Sequence, residues 1–161
     1  MTLSRTHLIL LAGLGSGLLM AGALGFQYLG DMPPCKLCYW QRYPHIAALV
    51  IALVGLRASG RVWPLLGAGA ALTTAAIGLY HTGVERKLWQ GPSSCSSGEI
   101  SGLSGAELLA QILSAPIVRC DEAPWELLGL SMASWNAVAS IVLALVWLAA
   151  ARRRAEAPTG P

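Results

Sequence analysis

Four apolar stretches, parted by short polar breaks and one long polar segment, organise this chain. A helix needs roughly 20 mostly apolar residues to cross a bilayer. Residues 8–29 and 62–80 meet that length without a charge, and 132–151 does so with Asn136 as its only strongly polar residue. The run from Tyr43 to Leu56 is short by itself. It reaches spanning length as 38–57, which draws Gln41 and Arg42 into the interfacial zone. The pattern predicts an all-α membrane protein: one domain over 1–161, a four-transmembrane-helix bundle with outer loops at 30–37 and 81–131.

The breaks have their own chemistry. Asp31-Met-Pro-Pro34 stops the first helix, because proline lacks the donor and clashes with the preceding turn. Ala58-Ser-Gly60 makes a tight turn. Pro44 is expected within the first turns of the second helix, where a missing N–H costs little. In the long loop, residues 91–98 have the composition of a flexible segment. Residues 106–113 read as a short amphipathic helix with Leu108, Leu109, Ile112 and Leu113 on one side. Such a helix suits either the headgroup interface or the protein's own surface.

Composition sharpens the membrane reading. Charged residues are 12% of the chain, about half the roughly 25% of soluble domains. Positive charge in short loops near helix ends sets orientation. Arg5, the Arg57–Arg61 turn and Arg152-Arg153-Arg154 fall on one face, whereas the loop from Gly30 to Gln41 carries only Lys36. Both termini are therefore expected in the cytoplasm and all four cysteines outside, where disulfides persist. The first run, with Arg5 before it and Ala21-Gly22-Ala23 late in it, also has features of a signal peptide. It continues through Leu24, Phe26 and Leu29, and cleavage there would leave the cysteines on the same side. The net charge of +3 follows from orientation, and no basic stripe of the kind nucleic acid needs is present.

The candidate chemistry is sulfur. Cys35-Lys-Leu-Cys38 stands at the head of the second helix, where peptide dipoles favour a thiolate. In a helical frame Cys35, Cys38 and Arg42 share one stripe. Arg42 could stabilise a Cys38 thiolate or an anionic partner beside it, or it could be a snorkelling anchor. Zinc is disfavoured as the reason for the pair, since the other cysteines lack matching spacing and histidine is scarce. A structural staple is the plainer alternative. Cys95 and Cys120 would close a loop worth about 3.5 kcal/mol by the loop-entropy model. Set among Ser and Gly, Cys95 is expected to form an exposed bond open to another protein's thiolate. The chain has no motif for haem, flavin or a metal cluster, so a mobile membrane carrier, quinone, is the expected electron acceptor. Trp40 and His81 are candidates for contact with its ring. Trp40 also suits an aromatic belt, and His81, expected to end the third helix, an ordinary interfacial position.

The chain resembles the disulfide bond formation protein B (DsbB) family along essentially its whole length. The resemblance rests on four spans, on Cys35-Lys-Leu-Cys38-Tyr-Trp-Gln41-Arg42, on the second cysteine pair, and on Trp125-Glu-Leu-Leu-Gly-Leu130-Ser-Met132. It implies a protein dithiol:quinone oxidoreductase of the bacterial inner membrane, using ubiquinone or menaquinone and serving a DsbA-like periplasmic partner. It also implies roles: Cys95 takes the partner's attack, Cys120 exchanges with Cys35, and Cys38 meets quinone beside Arg42. The Gly- and Ser-rich approach to Cys95 departs from the family picture and bears on which thioredoxin-fold partner is served. A vitamin K epoxide reductase-like protein is a rival, but such proteins carry the membrane-proximal pair on the last helix. A non-catalytic, disulfide-stapled membrane scaffold is the other.

Overall fold

A computed structural model describes residues 3–92, 95, 104–114 and 118–153. Its long elements are α1 (Arg5–Tyr28), α2 (Lys36–Gly55), α3 (Val62–Glu85) and α5 (Met132–Arg152), with a short α4 (Gly105–Ser114) between the last two. Three of these, α1, α3 and α5, are long and apolar enough to cross a membrane. The 20 residues of α2 span about 30 Å at roughly 1.5 Å per residue. Its first turns, however, carry Lys36, Gln41, Arg42 and His45, which lower its hydropathy.

Helix ends follow their caps rather than the edges of the apolar runs. Ser4 caps α1, its side chain accepting from the His7 N–H, so the helix starts at Arg5 and not at residue 8. Cys35 caps α2 with its sulfur, and Ser131 caps α5 with its hydroxyl. With α2 beginning at Lys36, Pro44 lies more than two turns inside it, deeper than expected. There its ring removes the usual partner of the Trp40 carbonyl. The third helix also runs further than 62–80, to Glu85, so His81 is a residue of the helix rather than its end. Beyond it Trp89 folds back, its indole donating to the Tyr80 carbonyl at 2.9 Å.

The four long helices pack in the cyclic order α1–α2–α3–α5. Two arginines mark one end. Arg5 donates to the carbonyls of Ala58 and Gly60 at 3.2 and 3.0 Å, and Arg61 to that of Ala151 at 2.8 Å. The start of α1, the α2–α3 turn and the end of α5 therefore meet. Cys35, His81 and Ser131 stand at the other end.

The core near the arginine end joins Leu8, Ile9, Ala12, Ala52, Ala68, Ala71, Leu143, Ala144, Trp147 and Ala150. Small residues let helix backbones approach closely where lipid gives no hydrophobic drive. Trp147 is the largest fully buried side chain, and a Cβ added at Gly67 would lie 2.4 Å from its ring. The outward faces carry leucines such as Leu14, Leu18 and Leu145, each more than 60% exposed. An apolar exterior over a core of small residues is what a bilayer as solvent favours.

A two-stranded antiparallel hairpin, β1 (Glu126–Leu127) and β2 (Leu130–Ser131), leads into α5, so the fold is not wholly helical. Its turn places Leu128 and Gly129 at φ +54° and +73°. Leucine rarely adopts that region, so the sequence carried no Asn-Gly-like hairpin signal. In α4, Ser104 and Glu107 form a capping box: the Glu107 carboxylate accepts from the Ser104 N–H at 2.8 Å. Leu109 and Leu113 are exposed, while the side chains of Leu108 and Ile112 lie outside the described part.

Gly67→Ala is expected to cost about 1–3 kcal/mol by overpacking against Trp147. Gly69→Ala, whose Cβ meets nothing within 4 Å, should leave thermal unfolding in detergent unchanged. Equal midpoints for the two variants would show that the Gly67–Trp147 contact is not tight.

Candidate functional site

The first cysteine pair is built by a helix cap. Cys35 holds extended backbone angles, which turns its sulfur back over the first turn to accept from the Cys38 N–H at 3.3 Å. The Cys35 thiol donates to the Cys38 sulfur at 3.0 Å. That hydrogen bond, followed by burial, holds the Cys35 thiol above its ordinary range. Cys38 is half-buried and Cys35 buried.

The second pair forms a disulfide, Cys95–Cys120. The Cys95 N–H donates to the Pro92 carbonyl and the Cys120 N–H to the Cys95 carbonyl, both at 2.8 Å. Both sulfurs are fully buried, in one cluster with Cys35, Leu37 and Val84, flanked by Cys38 and Val118. This overturns the expectation of an exposed bond. Local Ser and Gly composition describes the approach to Cys95 but not the surface on which it lands, which is the C-terminal end of α3 and the cap of α2. The four cysteines come together; they are not two remote pairs.

A buried polar network lies beneath them. His81 on α3 sets Nε2 3.6 Å from the Cys35 sulfur and 3.8 Å from Glu85 Oε1, and hydrogen-bonds the Cys120 main chain. Gln41 Nε2 donates to His81 Nδ1 at 2.9 Å and to the Leu37 carbonyl at 3.2 Å. Asn136 Nδ2 donates to Gln41 Oε1 at 2.9 Å and to Thr74 Oγ1 at 3.1 Å. Asn136 Oδ1 accepts from His45 Nε2 at 2.9 Å. Ser131 donates to the Glu85 carboxylate. Gln41, His45, Thr74, Glu85 and Asn136 are thus members of the site that sequence reasoning did not assign to it. The signal existed for two: Gln41 lies one turn beyond Cys38, and a lone Asn in an apolar span is a functional candidate by default.

Cys35, Cys38 and His81 offer ligand atoms within 4.8 Å of one another. A metal-bound histidine donates its other ring N–H to an acceptor. Here that other nitrogen, Nδ1, receives a hydrogen from Gln41, which leaves a hydrogen on the nitrogen that faces the sulfurs. In this arrangement His81 is therefore not oriented as a metal-bound histidine would be.

Beside the sulfurs is a half-open cavity of about 300 Å³. Cys35, Cys38, Gln41, Arg42, His45 and His81 line one part, Glu85, Arg119 and Glu122 add charge to the wall, and the rest is mainly apolar, with Leu18, Phe26 and Trp135 in it. Arg42 is braced by α1: Nη1 donates to Gln27 Oε1 at 2.6 Å and Nη2 to the Ala23 carbonyl at 3.3 Å. Its guanidinium also sits 5.2 Å from the Tyr39 ring. Cys35, Cys38 and Arg42 share the expected stripe, and His81 joins them. Trp40 does not; it is 41% exposed, under the Lys36 ammonium at 5.7 Å, outside the cavity wall.

The family model described as disulfide bond formation protein DsbB matches residues 5–150, taking in all four cysteines. This chain belongs to the DsbB family. Among its relatives, a disulfide bond formation protein B of Alkalilimnicola ehrlichii is 37% identical over 148 residues, covering 85% of this chain and 87% of that protein. One from Shewanella sp. (strain W3-18-1) is 30% identical over 150 residues, covering 90% and 85%. No solved structure matches the chain. Membership of the DsbB family makes the chain a disulfide oxidoreductase of disulfide bond formation, and its apolar helices accord with the bacterial inner membrane.

In this DsbB-family chain a charged clip fixes the cysteine-bearing loop. Asp121 accepts from Lys87 Nζ at 2.6 Å and from Arg119 at 2.7 and 3.0 Å, tying the residue after Cys120 to the end of α3. Arg119, then Lys87, holds the Asp121 carboxyl well below the usual carboxylate range. A carboxyl more acidic in the folded protein stabilises the fold above its open-chain value of about 3.9, and that contribution fades as pH falls toward the folded value. Hydrogen-exchange protection at 118–122 should therefore stay level from neutral pH to about 4 and drop below it. A drop centred well above that would show that Asp121 does not hold the loop.

Proposed function

We propose that this protein oxidises a DsbA-like periplasmic thioredoxin-fold protein and delivers the electrons to ubiquinone or menaquinone. The observation that carries the reading is the gathering of both cysteine pairs in one cluster, Cys35, Cys95 and Cys120 buried and the half-buried Cys38 against them, with Cys38 and Arg42 also on the wall of a mainly apolar cavity. One pair can pass its oxidation state to the other without crossing the bundle. The cavity's volume, about 300 Å³, lies at the lower edge of small-molecule sites of roughly 300–1,000 Å³, and its half-open, mainly apolar wall suits a ring with a lipid tail.

In this scheme the partner's thiolate attacks Cys95 and releases Cys120. Cys120 attacks Cys35 of an oxidised Cys35–Cys38 pair and frees Cys38 as a thiolate facing the cavity. The partner's second thiol then displaces Cys95 from the mixed disulfide, and Cys95 displaces Cys35 from Cys120, which restores Cys95–Cys120, leaves Cys35 and Cys38 reduced and completes one new disulfide in the partner. Quinone, when bound, would take the two electrons and two protons of the Cys35–Cys38 pair and return that pair to the disulfide. Arg42 contributes charge: its guanidinium has five N–H donors, and two hydrogen bonds to α1 hold it in place. His81 contributes an N–H between the two pairs. Trp40 stands as a belt residue rather than a ring contact. We further assign four crossings with both termini in the cytoplasm, α2 serving as the fourth span, and α4 resting on the outer headgroups through Leu109 and Leu113.

Anaerobic mixing of the purified protein with a reduced DsbA-type protein and ubiquinone or menaquinone tests this directly; no quinone-dependent loss of partner thiols would rule it out. Arg42→Ala should raise the quinone KM by about tenfold or more, the loss of a charge-assisted hydrogen bond. Capture of the mixed disulfide should stay unchanged. Cys95→Ser should abolish that mixed disulfide, and a partner trapped on Cys35 instead would reverse the order of transfer.

A further inference from the structure

The buried polar network has a direction, and it can be read atom by atom. Thr74 spends its hydroxyl hydrogen on the Gln41 carbonyl at 3.0 Å, so its oxygen is an acceptor toward Asn136. That fixes the Asn136 amide: Nδ2 faces Thr74 and Gln41 Oε1, and Oδ1 faces His45. His45 must then carry its hydrogen on Nε2. Its buried Nδ1 is left as a lone pair without a protein partner. Gln41, receiving Asn136 on Oε1, has both amide hydrogens to give, one to the Leu37 carbonyl and one to His81 Nδ1. His81 therefore carries its hydrogen on Nε2, where it is shared between the Cys120 main chain and the Cys35 sulfur at 3.6 Å, and Cys35 in turn donates to Cys38. Reversing any member would set two hydrogens or two lone pairs face to face among buried side chains.

We propose that Gln41 and Asn136 are positioning residues which, by fixing the tautomer of His81, align the sequence His45, Asn136, Gln41, His81, Cys35, Cys38 so that at each link of the row the earlier member donates to the next, toward the Cys38 sulfur. The inference rests on the reading above, in which Cys38 is the sulfur that hands on electrons. Hydrogen bonds in such a row polarise one another, and a low-dielectric surrounding strengthens the effect. An N–H on the Cys35 sulfur makes its S–H a better donor, and that donor keeps negative charge on Cys38. The two amides cannot pass a proton along the row, so the device orients and polarises; it does not conduct. The charged groups around the pair are Arg42 on α2, Glu85 on α3, and Arg119 and Glu122 of the loop lining the same cavity. The variants that test the row leave all four in place.

Two measurements test it, neither needing quinone. In the reduced wild-type protein, ¹⁵N NMR of the histidine rings should find His81 neutral with its hydrogen on Nε2; a hydrogen on Nδ1 overturns the proposal, whether or not any variant folds. Alkylation by iodoacetamide against pH, with peptide mapping to separate the two cysteines, should give Cys38 the lower midpoint. The uncharged change Gln41→Met should raise that midpoint by about one pH unit, a roughly tenfold slower reaction below it. Asn136→Leu should move it the same way by less, because Gln41 keeps its place but loses its fixed orientation. An unmoved Cys38 midpoint in Gln41→Met, or a lower midpoint at Cys35 than at Cys38 in the wild type, overturns the row. Wild-type midpoints and tautomer as expected, with no quinone-dependent turnover, would keep the row and refute the quinone reading instead.

Discussion

Polar groups inside a lipid-facing bundle have only one another to bond, and this structure is organised around that constraint. Gln41, Thr74 and Asn136 belong to three different helices, and each meets the others through hydrogen bonds of 2.9–3.1 Å. Interhelical bonds of this kind contribute about 0.6–2 kcal/mol each. Their greater effect is on register: a one-residue slip of α2 or α5 would strand an amide in hydrocarbon. At the opposite end Arg5 and Arg61 do the equivalent with carbonyls. Between these two polar ends the packing is left to alanines, glycines and one tryptophan.

The register so fixed is what brings the sulfurs together. Cys35 is placed by the start of α2, and α2 is tied to α3 through Gln41 and His81. The disulfide loop then lands on the end of α3, where Val84 packs against it and Lys87 holds Asp121. Chemistry between the pairs thus depends on a contact made a turn or more deeper than the cysteines themselves.

Much of this was legible in the sequence, for definite reasons. Long apolar runs locate α1, α3 and α5, because spanning a bilayer imposes length and composition together. The edges were less legible, since Ser4, Cys35 and Ser131 decide them by capping and not by hydropathy. The stripe of Cys35, Cys38 and Arg42 was readable from helical spacing. The burial of Cys95 was not, because a Ser- and Gly-rich segment gives no sign of the surface that receives it. Nor was the hairpin before α5, whose turn sets a leucine where glycine or asparagine is usual. The network partners of Asn136 were equally hidden: one polar residue in an apolar span announces a bond but does not name who makes it.

The complete burial of Cys95–Cys120 has a kinetic consequence. Thiol–disulfide exchange needs the incoming sulfur in line with the bond it breaks, and a disulfide with no accessible surface offers no such approach. Any external thiolate therefore waits on a pre-equilibrium in which the segment lifts from Val84, and the apparent bimolecular rate is the intrinsic one scaled by the open fraction. The rate of exchange at this bond is thus set by how often it is uncovered, whichever thiolate attacks it.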